Sequence, residues 1–147
     1  MNPKVLMIDD ELALIKNLAD LLTKRGFETS IAANGAEGIK LLEAGEFDVV
    51  LLDLRMPGQS GMDVLKRIKI MKNAAPEVII FTGFGTIDSS IESLQNGAFD
   101  YLTKPIRIGE LVERLTKAFQ RMMIKKGVEM NRYSDGYGSP DCMENSR

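Results

Sequence analysis

The chain has 147 residues, and its 19 Lys and Arg against 21 Asp and Glu leave a net charge of -2, which gives no reason to expect direct binding to nucleic acid. One cysteine and no histidine exclude an intramolecular disulfide, a zinc site of the usual Cys and His type, and Ser-His-Asp or Cys-His catalysis. Apolar runs too short to cross a bilayer, and an N-terminus without the features of a secretory signal, predict a cytoplasmic protein with no membrane span.

The first half of the chain predicts three strands and two helices. The strand KVLMI is followed by leucines at helical spacing from Leu14 to Leu22, and Gly26 stands where that helix should end. The short strand FETSIA leads to a second amphipathic helix around Ile39, which should end near Gly45. The unbroken apolar run in FDVVLLDL then predicts a central strand that is covered on both faces.

The second half continues the alternation of strands and helices. The turn residues of MPGQSG predict a loop before a third helix. The strand EVIIFTG precedes a helix that carries Ile87, Ile91 and Leu94 and should stop at Gly97. The fifth strand is AFDYLT, and the last helix has an apolar stripe over residues 111–122.

Five strands that are each followed by a helix predict an α/β fold, with a doubly wound, five-stranded parallel sheet. In one common order of such sheets, 2-1-3-4-5, the first and third strands are neighbours. From about Gly127 the apolar periodicity fails and polar residues dominate. We therefore predict one domain over residues 1–126 and a flexible polar tail or truncated linker over 127–147.

Polar side chains follow four of the predicted strands. Asp9 and Asp10 end the first strand, Asp53 ends the third, Thr82 ends the fourth and Lys104 lies just beyond the fifth. Because the carboxyl ends of parallel strands share one edge, these groups should gather there, at the usual ligand site of an open sheet. If the first and third strands are neighbours, three carboxylates meet.

Three carboxylates so close together either have raised pKa values or are neutralised by a cation. Mg2+ fits, because it binds a few carboxylates and completes its shell with water and phosphate oxygens. Lys104 and Thr82 could then balance the charge of a phosphoryl group. The only nucleophile of this cluster is a carboxylate, which would form an acyl phosphate.

At this point the sequence closely resembles the receiver domain of bacterial two-component response regulators. The resemblance covers roughly residues 5–122 and keeps the order and spacing of every motif. It rests on four stretches, which are IDDE with Asp9 and Asp10, DLRMPGQSG with Asp53, FTGFG with Thr82, and YLTKP with Tyr101 and Lys104.

The resemblance implies a flavodoxin-like (βα)5 fold with strand order 2-1-3-4-5, and a phosphoacceptor function. Asp53 would accept phosphoryl from a phosphohistidine on a sensor histidine kinase or a His-containing phosphotransfer protein. Asp10, Asp53 and the backbone carbonyl of Arg55 would bind Mg2+, with Asp9 acting mainly through water. Such a domain assists its own phosphorylation and dephosphorylation and is not an enzyme with an external substrate.

The resemblance also implies a conformational switch. Lys104 would pair with the phosphoryl group, Thr82 would move to bond a phosphoryl oxygen, and Tyr101 would move inward. The shift would remodel the surface of the fourth helix, fifth strand and fifth helix, where a downstream protein or an output domain of the same protein would dock. The Lys104-Pro105 peptide would be cis. The sequence leaves open whether the chain acts alone, belongs to a longer regulator or dimerises on phosphorylation.

Two other functions compete with this hypothesis. A haloacid-dehalogenase-type phosphatase also forms an aspartyl phosphate, but it needs an aspartate two residues after the nucleophile, where this chain has Arg55. A degenerate receiver that serves only as a docking surface would lack a residue of the acidic pocket, and none is missing. Arg55 and Phe84 each lie two residues after a motif residue, so we expect them to flank the site and to slow hydrolysis by excluding water.

Overall fold

A computed structural model describes residues 2–71 and 75–134, with side chains described through residue 127. Its sheet contains five strands, which we number in chain order as β1 (Lys4–Ile8), β2 (Glu28–Ala32), β3 (Val49–Leu52), β4 (Glu77–Thr82) and β5 (Asp100–Thr103). The described residues form five helices, α1 (Leu12–Thr23), α2 (Gly35–Ala44), α3 (Gly61–Lys69), α4 (Ile87–Gln95) and α5 (Ile108–Ser134). No helix among these residues is both long enough and apolar enough to span a bilayer.

All neighbouring strands of the sheet run parallel, in the order β2-β1-β3-β4-β5. This order confirms the predicted fold class and the predicted neighbourhood of the first and third strands. In the register of β1 and β3, Val5 lies opposite Val49 and Ile8 lies opposite Leu52. The residues that follow Ile8 and Leu52 therefore leave the sheet side by side.

Each face of the sheet carries its own apolar core. Alternate residues of β1 point to opposite faces, so that Val5 and Met7 pack with α1 and α5. Leu6 and Ile8 pack with α2 and α3. The continuous apolar runs of β1, β3 and β4 follow from this double covering, because both faces of these strands are buried.

The segment predicted as a loop after β3 contains a short hairpin. Residues Arg55–Met56 pair antiparallel with Gln59–Ser60, and Gly58 between them has a φ of 79°, which glycine adopts without strain. The Ser60 side chain then caps α3 by accepting a hydrogen bond from the Met62 N–H. The hairpin leads the chain from the end of β3 to α3 directly beside the site.

Helix α4 exposes the apolar residues that the sequence places on it. The exposed fractions of Ile87, Ile91 and Leu94 are 79%, 49% and 48%, whereas the buried residue of the helix is Ser93. The Ser93 hydroxyl donates to the carbonyl of Ser89 at 2.7 Å. The helix therefore rests on the domain through small polar residues, and its apolar stripe faces solvent.

The last helix is longer than the sequence predicted. α5 continues to Ser134, past residue 127, where the sequence analysis places the start of a flexible polar tail or truncated linker. Lys125 bonds the buried carboxylate of Glu77 at 3.0 Å, and Lys126 lies 3.5 Å from Asp48. Both ion pairs join α5 to the edge of the sheet at which β3 and β4 begin. The remainder of the predicted tail, with Cys142, lies outside the described residues.

Candidate metal and phosphoryl site

Strands β1 and β3 bring three carboxylates together at the edge of the sheet where the strands have their carboxyl ends. The backbone N–H of Asp9 donates to the carbonyl of Ala32 at 3.0 Å, which ties the end of β1 to β2. The N–H of Asp53 donates to the carbonyl of Ile8, also at 3.0 Å. One carboxylate oxygen from each of Asp9, Asp10 and Asp53 lies within 4.8 Å of the other two. The sequence predicted this cluster from strand ends alone.

The donor set of this cluster suits a hard divalent cation. Asp9 and Asp53 are buried and Asp10 is exposed, so a bound ion would touch both protein and solvent. Mg2+ takes carboxylate oxygens together with water and phosphate oxygens, which this arrangement allows. The Arg55 N–H donates to Asp53 Oδ1 at 3.2 Å, and so the peptide of Arg55 lies beside the predicted phosphoacceptor.

The Lys104 ammonium group contacts two of the three carboxylates. Its peptide bond to Pro105 is cis, as the resemblance implied. Lys104 Nζ lies 2.7 Å from Asp9 Oδ2 and 3.3 Å from Asp53 Oδ2. The carboxylate of Glu11, which is not part of the aspartate cluster, lies 2.6 Å from the same nitrogen and is the third partner of Lys104. The sequence analysis missed Glu11, although its place directly after the aspartate pair was a signal that it could reach the same edge.

Burial shifts the pKa of Asp9, and hydrogen bonds and charges of the cluster shift the pKa of Lys104. Burial raises the pKa of Asp9 above the ordinary value of 3.8, against the lowering effects of Lys104 and of the hydrogen bond from the Glu11 N–H. Burial by itself lowers the pKa of Lys104, but the hydrogen bonds to Asp9 and Glu11 and the charges of Asp9 and Asp53 outweigh it and raise that pKa. Lys104 is therefore a permanent cation at this site.

The two predicted switch residues each form a hydrogen bond with a residue outside the carboxylate cluster. Thr82 is fully buried at the end of β4, where its hydroxyl accepts a hydrogen bond from the Phe84 N–H at 3.3 Å. Tyr101 is half-buried, and its hydroxyl lies 2.6 Å from the hydroxyl of Ser89 on α4. A Cβ on Gly85 would come within 2.8 Å of that phenol oxygen, so the glycine leaves room for the tyrosine.

Sequence reasoning also missed Ser89. This residue forms a capping box with Thr86, in which each side chain accepts a hydrogen bond from the backbone N–H of the other. The spacing of Thr86 and Ser89 was a local signal for the start of α4. The further bond from Ser89 to Tyr101 links that helix end to the switch tyrosine.

A cavity of about 640 Å³ opens beside the carboxylates. Its wall includes Asp10, Met56 and Pro57. Arg55 and Phe84 also line it, and the Arg55 guanidinium carbon lies 4.2 Å from the centre of the Phe84 ring. The two side chains that we expected to flank the site therefore stack on each other at its mouth.

Comparison with known proteins agrees with this geometry. Residues 5–116 match the family model of the response regulator receiver domain, and the chain therefore belongs to this family. It is a receiver domain of the two-component response regulators, with the flavodoxin-like fold described above.

Individual relatives differ in length. The chain is 35% identical over 117 residues to sporulation initiation phosphotransferase F of Bacillus subtilis, covering 80% of this chain and 94% of that protein. It is 34% identical over 125 residues to regulatory protein AtoC of Escherichia coli, covering 85% of this chain but 27% of that protein. A receiver domain structure from Clostridium thermocellum superimposes with a TM-score of 0.77 at 36% identity, covering 83% of this chain and 98% of that one.

The raised pKa of Asp9 predicts a pH dependence of stability in a chelating buffer. A carboxyl with a higher pKa in the folded than in the unfolded protein stabilises the fold below the ordinary pKa, and this contribution is lost as pH rises through the folded pKa. The free energy of unfolding of the wild type, relative to that of Asp9→Asn, should therefore fall as the pH rises from the ordinary pKa of 3.8 through the higher pKa of the folded protein. Urea denaturation across this range measures the difference.

Two controls accompany this measurement. Asp20→Asn removes an exposed carboxylate of α1 and should show no such trend. Mg2+ should offset the loss in the wild type near neutral pH, because metal binding favours the deprotonated carboxylate. A constant difference between wild type and Asp9→Asn at all pH values would contradict the prediction.

Proposed function

We propose that this chain is a phosphoacceptor switch that works in the cytoplasm, with Asp53 as the residue that is phosphorylated. The observation that carries the proposal is the setting of Asp53. Its carboxylate lies within 4.8 Å of those of Asp9 and Asp10 and 3.3 Å from Lys104 Nζ. A candidate metal site and a lysine therefore flank a single nucleophile. Both can balance negative charge during phosphoryl transfer.

The reaction follows from these groups. A carboxylate oxygen of Asp53 attacks the phosphorus of a phosphohistidine, the P–N bond breaks, and the imidazole leaves with the electron pair. Because this chain has no histidine, a sensor histidine kinase or a His-containing phosphotransfer protein would supply the phosphoryl group. The Bacillus relative is named a phosphotransferase, which supports this class of reaction.

Mg2+ would be held by Asp10, Asp53 and the backbone carbonyl of Arg55, with Asp9 acting through water. When bound, the ion would neutralise the charge that develops on the transferred oxygens. Lys104 would pair with the phosphoryl group from the other side. The same groups would assist the later hydrolysis, so the domain would promote its own phosphorylation and dephosphorylation without turning over an external substrate.

Movements of Thr82 and Tyr101 would couple phosphorylation to a change at the protein surface. If Thr82 turns toward the phosphoryl oxygens, Tyr101 can move inward and give up its bond to Ser89 on α4. The surface formed by α4, β5 and α5 would then change, and a downstream protein, an output domain or a second copy of the chain would bind there. The longer relatives, such as AtoC, favour an output domain as one such partner.

Intact mass spectrometry tests the proposal. The protein is incubated with Mg2+ and acetyl phosphate, and we expect a mass gain of one phosphoryl group that a chelator prevents. Reduction of the acyl phosphate with borohydride should mark the peptide that contains Asp53. No mass gain at any Mg2+ concentration would favour a domain that works only as a docking surface, and continuous release of phosphate from a phosphomonoester would favour a phosphatase.

The stacked pair at the mouth of the cavity predicts a slow loss of the phosphoryl group. Replacing both Arg55 and Phe84 by Ala should shorten the phosphoryl half-life, because water then reaches the acyl phosphate more easily. A barrier lowered by about 1 kcal/mol corresponds to roughly a fivefold shorter half-life. The decay of the phosphorylated mass after removal of acetyl phosphate measures it.

The control for this double variant is Arg67→Ala, which removes an exposed arginine on α3 that pairs with Glu43. Its half-life should match that of the wild type. A half-life that stays the same or lengthens in the double variant would show that the pair does not exclude water.

A further inference from the structure

Carboxylates accept all three hydrogen bonds that the Lys104 ammonium group can donate. An ammonium carries three protons, and Lys104 Nζ has three carboxylate partners, which are Asp9 at 2.7 Å, Glu11 at 2.6 Å and Asp53 at 3.3 Å. The longest of the three bonds is the one to Asp53. Two carboxylates outside the proposed phosphoacceptor therefore hold the lysine more closely than the phosphoacceptor itself.

A phosphoryl group on Asp53 would accept a hydrogen bond from Lys104, so one of the present hydrogen bonds of Lys104 has to break. Asp9 is poorly placed to do so, because its side chain is 4% exposed. Its other oxygen also accepts the Glu11 N–H at 2.9 Å. The Glu11 side chain is 59% exposed, and water can replace the lysine at its carboxylate at little cost.

We propose that Glu11 is a positioning residue that competes with the phosphoryl group for Lys104 and so weakens binding of that group at Asp53. This inference rests on the proposed function, because it assumes that Asp53 takes up a phosphoryl group. Glu11 does not touch the reacting atoms. It acts through Lys104, by occupying the donor that the phosphoryl oxygens require.

Beryllofluoride, an anion that binds a carboxylate oxygen as a phosphoryl group does, provides a probe of binding without turnover. Isothermal titration calorimetry in Mg2+ compares the wild type with Glu11→Gln and Glu11→Asp. Gln removes the charge that holds Lys104, and Asp keeps the charge but is one methylene shorter. We expect both variants to bind beryllofluoride about two- to fivefold more tightly, since an ion pair with an exposed carboxylate is weak.

The matched control is Asp88→Asn, which removes an exposed carboxylate at the start of α4, on the same edge of the sheet. Asp88 has no ion-pair partner among the residues that the structure describes. Its variant should bind beryllofluoride as the wild type does. Thermal unfolding of each variant without ligand separates a change in affinity from a change in stability.

Three results would overturn the inference. Equal affinities of Glu11→Gln and the Asp88→Asn control would show that Glu11 does not compete for Lys104. Tighter binding by Glu11→Gln with wild-type affinity in Glu11→Asp would assign the effect to charge repulsion at a distance. No binding by any of the proteins would contradict the proposed function itself, and with it this inference, whereas the first two results leave the proposed function intact.

Discussion

Asp53→Asn should abolish the uptake of a phosphoryl group from acetyl phosphate while the domain stays folded. The amide has the same shape as the carboxylate, and its oxygen can still accept the Arg55 N–H that now binds Asp53 Oδ1. An amide oxygen is a poor nucleophile, however, and the variant also loses one of the two carboxylates that would bind Mg2+ directly. Intact mass spectrometry should therefore detect no phosphorylated species.

The control is Asp63→Asn, an exposed residue in the first turn of α3. It removes the same charge near the same edge of the sheet and should be phosphorylated as the wild type is. Phosphorylation that persists in Asp53→Asn at the wild-type rate would mean that another residue accepts the group. Thermal unfolding of both variants, compared with the wild type, shows whether a loss of signal comes from chemistry or from unfolding.

Gly61→Ala should destabilise the domain more than any other glycine-to-alanine change at the site. A Cβ at Gly61 would overlap the carbonyl oxygen of Asp53 and would lie 2.5 Å from the Cα of Leu54. Both obstacles are backbone, so the clash is relieved only by moving the chain that carries Asp53. We expect the free energy of unfolding to fall by about 3 kcal/mol in urea denaturation. Phosphorylation should also slow, because Asp53 is displaced from Lys104.

Gly109→Ala is the matched control. Apart from its chain neighbours and the nearby backbone of its own helix, no atom of the described residues lies within 4 Å of a Cβ at Gly109, which is in the first turn of α5. Alanine is the better helix former, so this variant should gain about 0.5 kcal/mol. A Gly61→Ala variant that is as stable as the wild type would contradict the close approach of the start of α3 to the end of β3.

The strand-end residues were predictable from the sequence because a parallel sheet gathers its carboxyl ends on one edge. Asp9, Asp53 and Thr82 each follow an apolar run, and the alternation of strands and helices implies the parallel order. Lys104 was predictable as well, as a positive charge just beyond the fifth strand, whereas the switch role of Tyr101 came from the resemblance.

Strand ends and the alternation of strands and helices do not predict which side chains that are distant in the sequence contact each other. Glu11 and Lys104 are 93 positions apart, and strand ends place their backbones near each other without saying which carboxylate takes the ammonium. The bond between Ser89 and Tyr101 depends on how α4 is turned about its own axis. Another ion pair, between Lys125 on α5 and Glu77 on β4, joins residues that are 48 positions apart. Sequence periodicity carries none of this information.

The composition of α4 has a consequence for amide hydrogen exchange. With its apolar stripe in solvent and Ser93 as its buried residue, this helix gains little free energy from burial. Its amide protons should therefore exchange through local opening, at a smaller free energy than global unfolding. A partner that covers Ile87 and Ile91 would supply the missing apolar contact, so the same helix would exchange slowly only when the domain is bound.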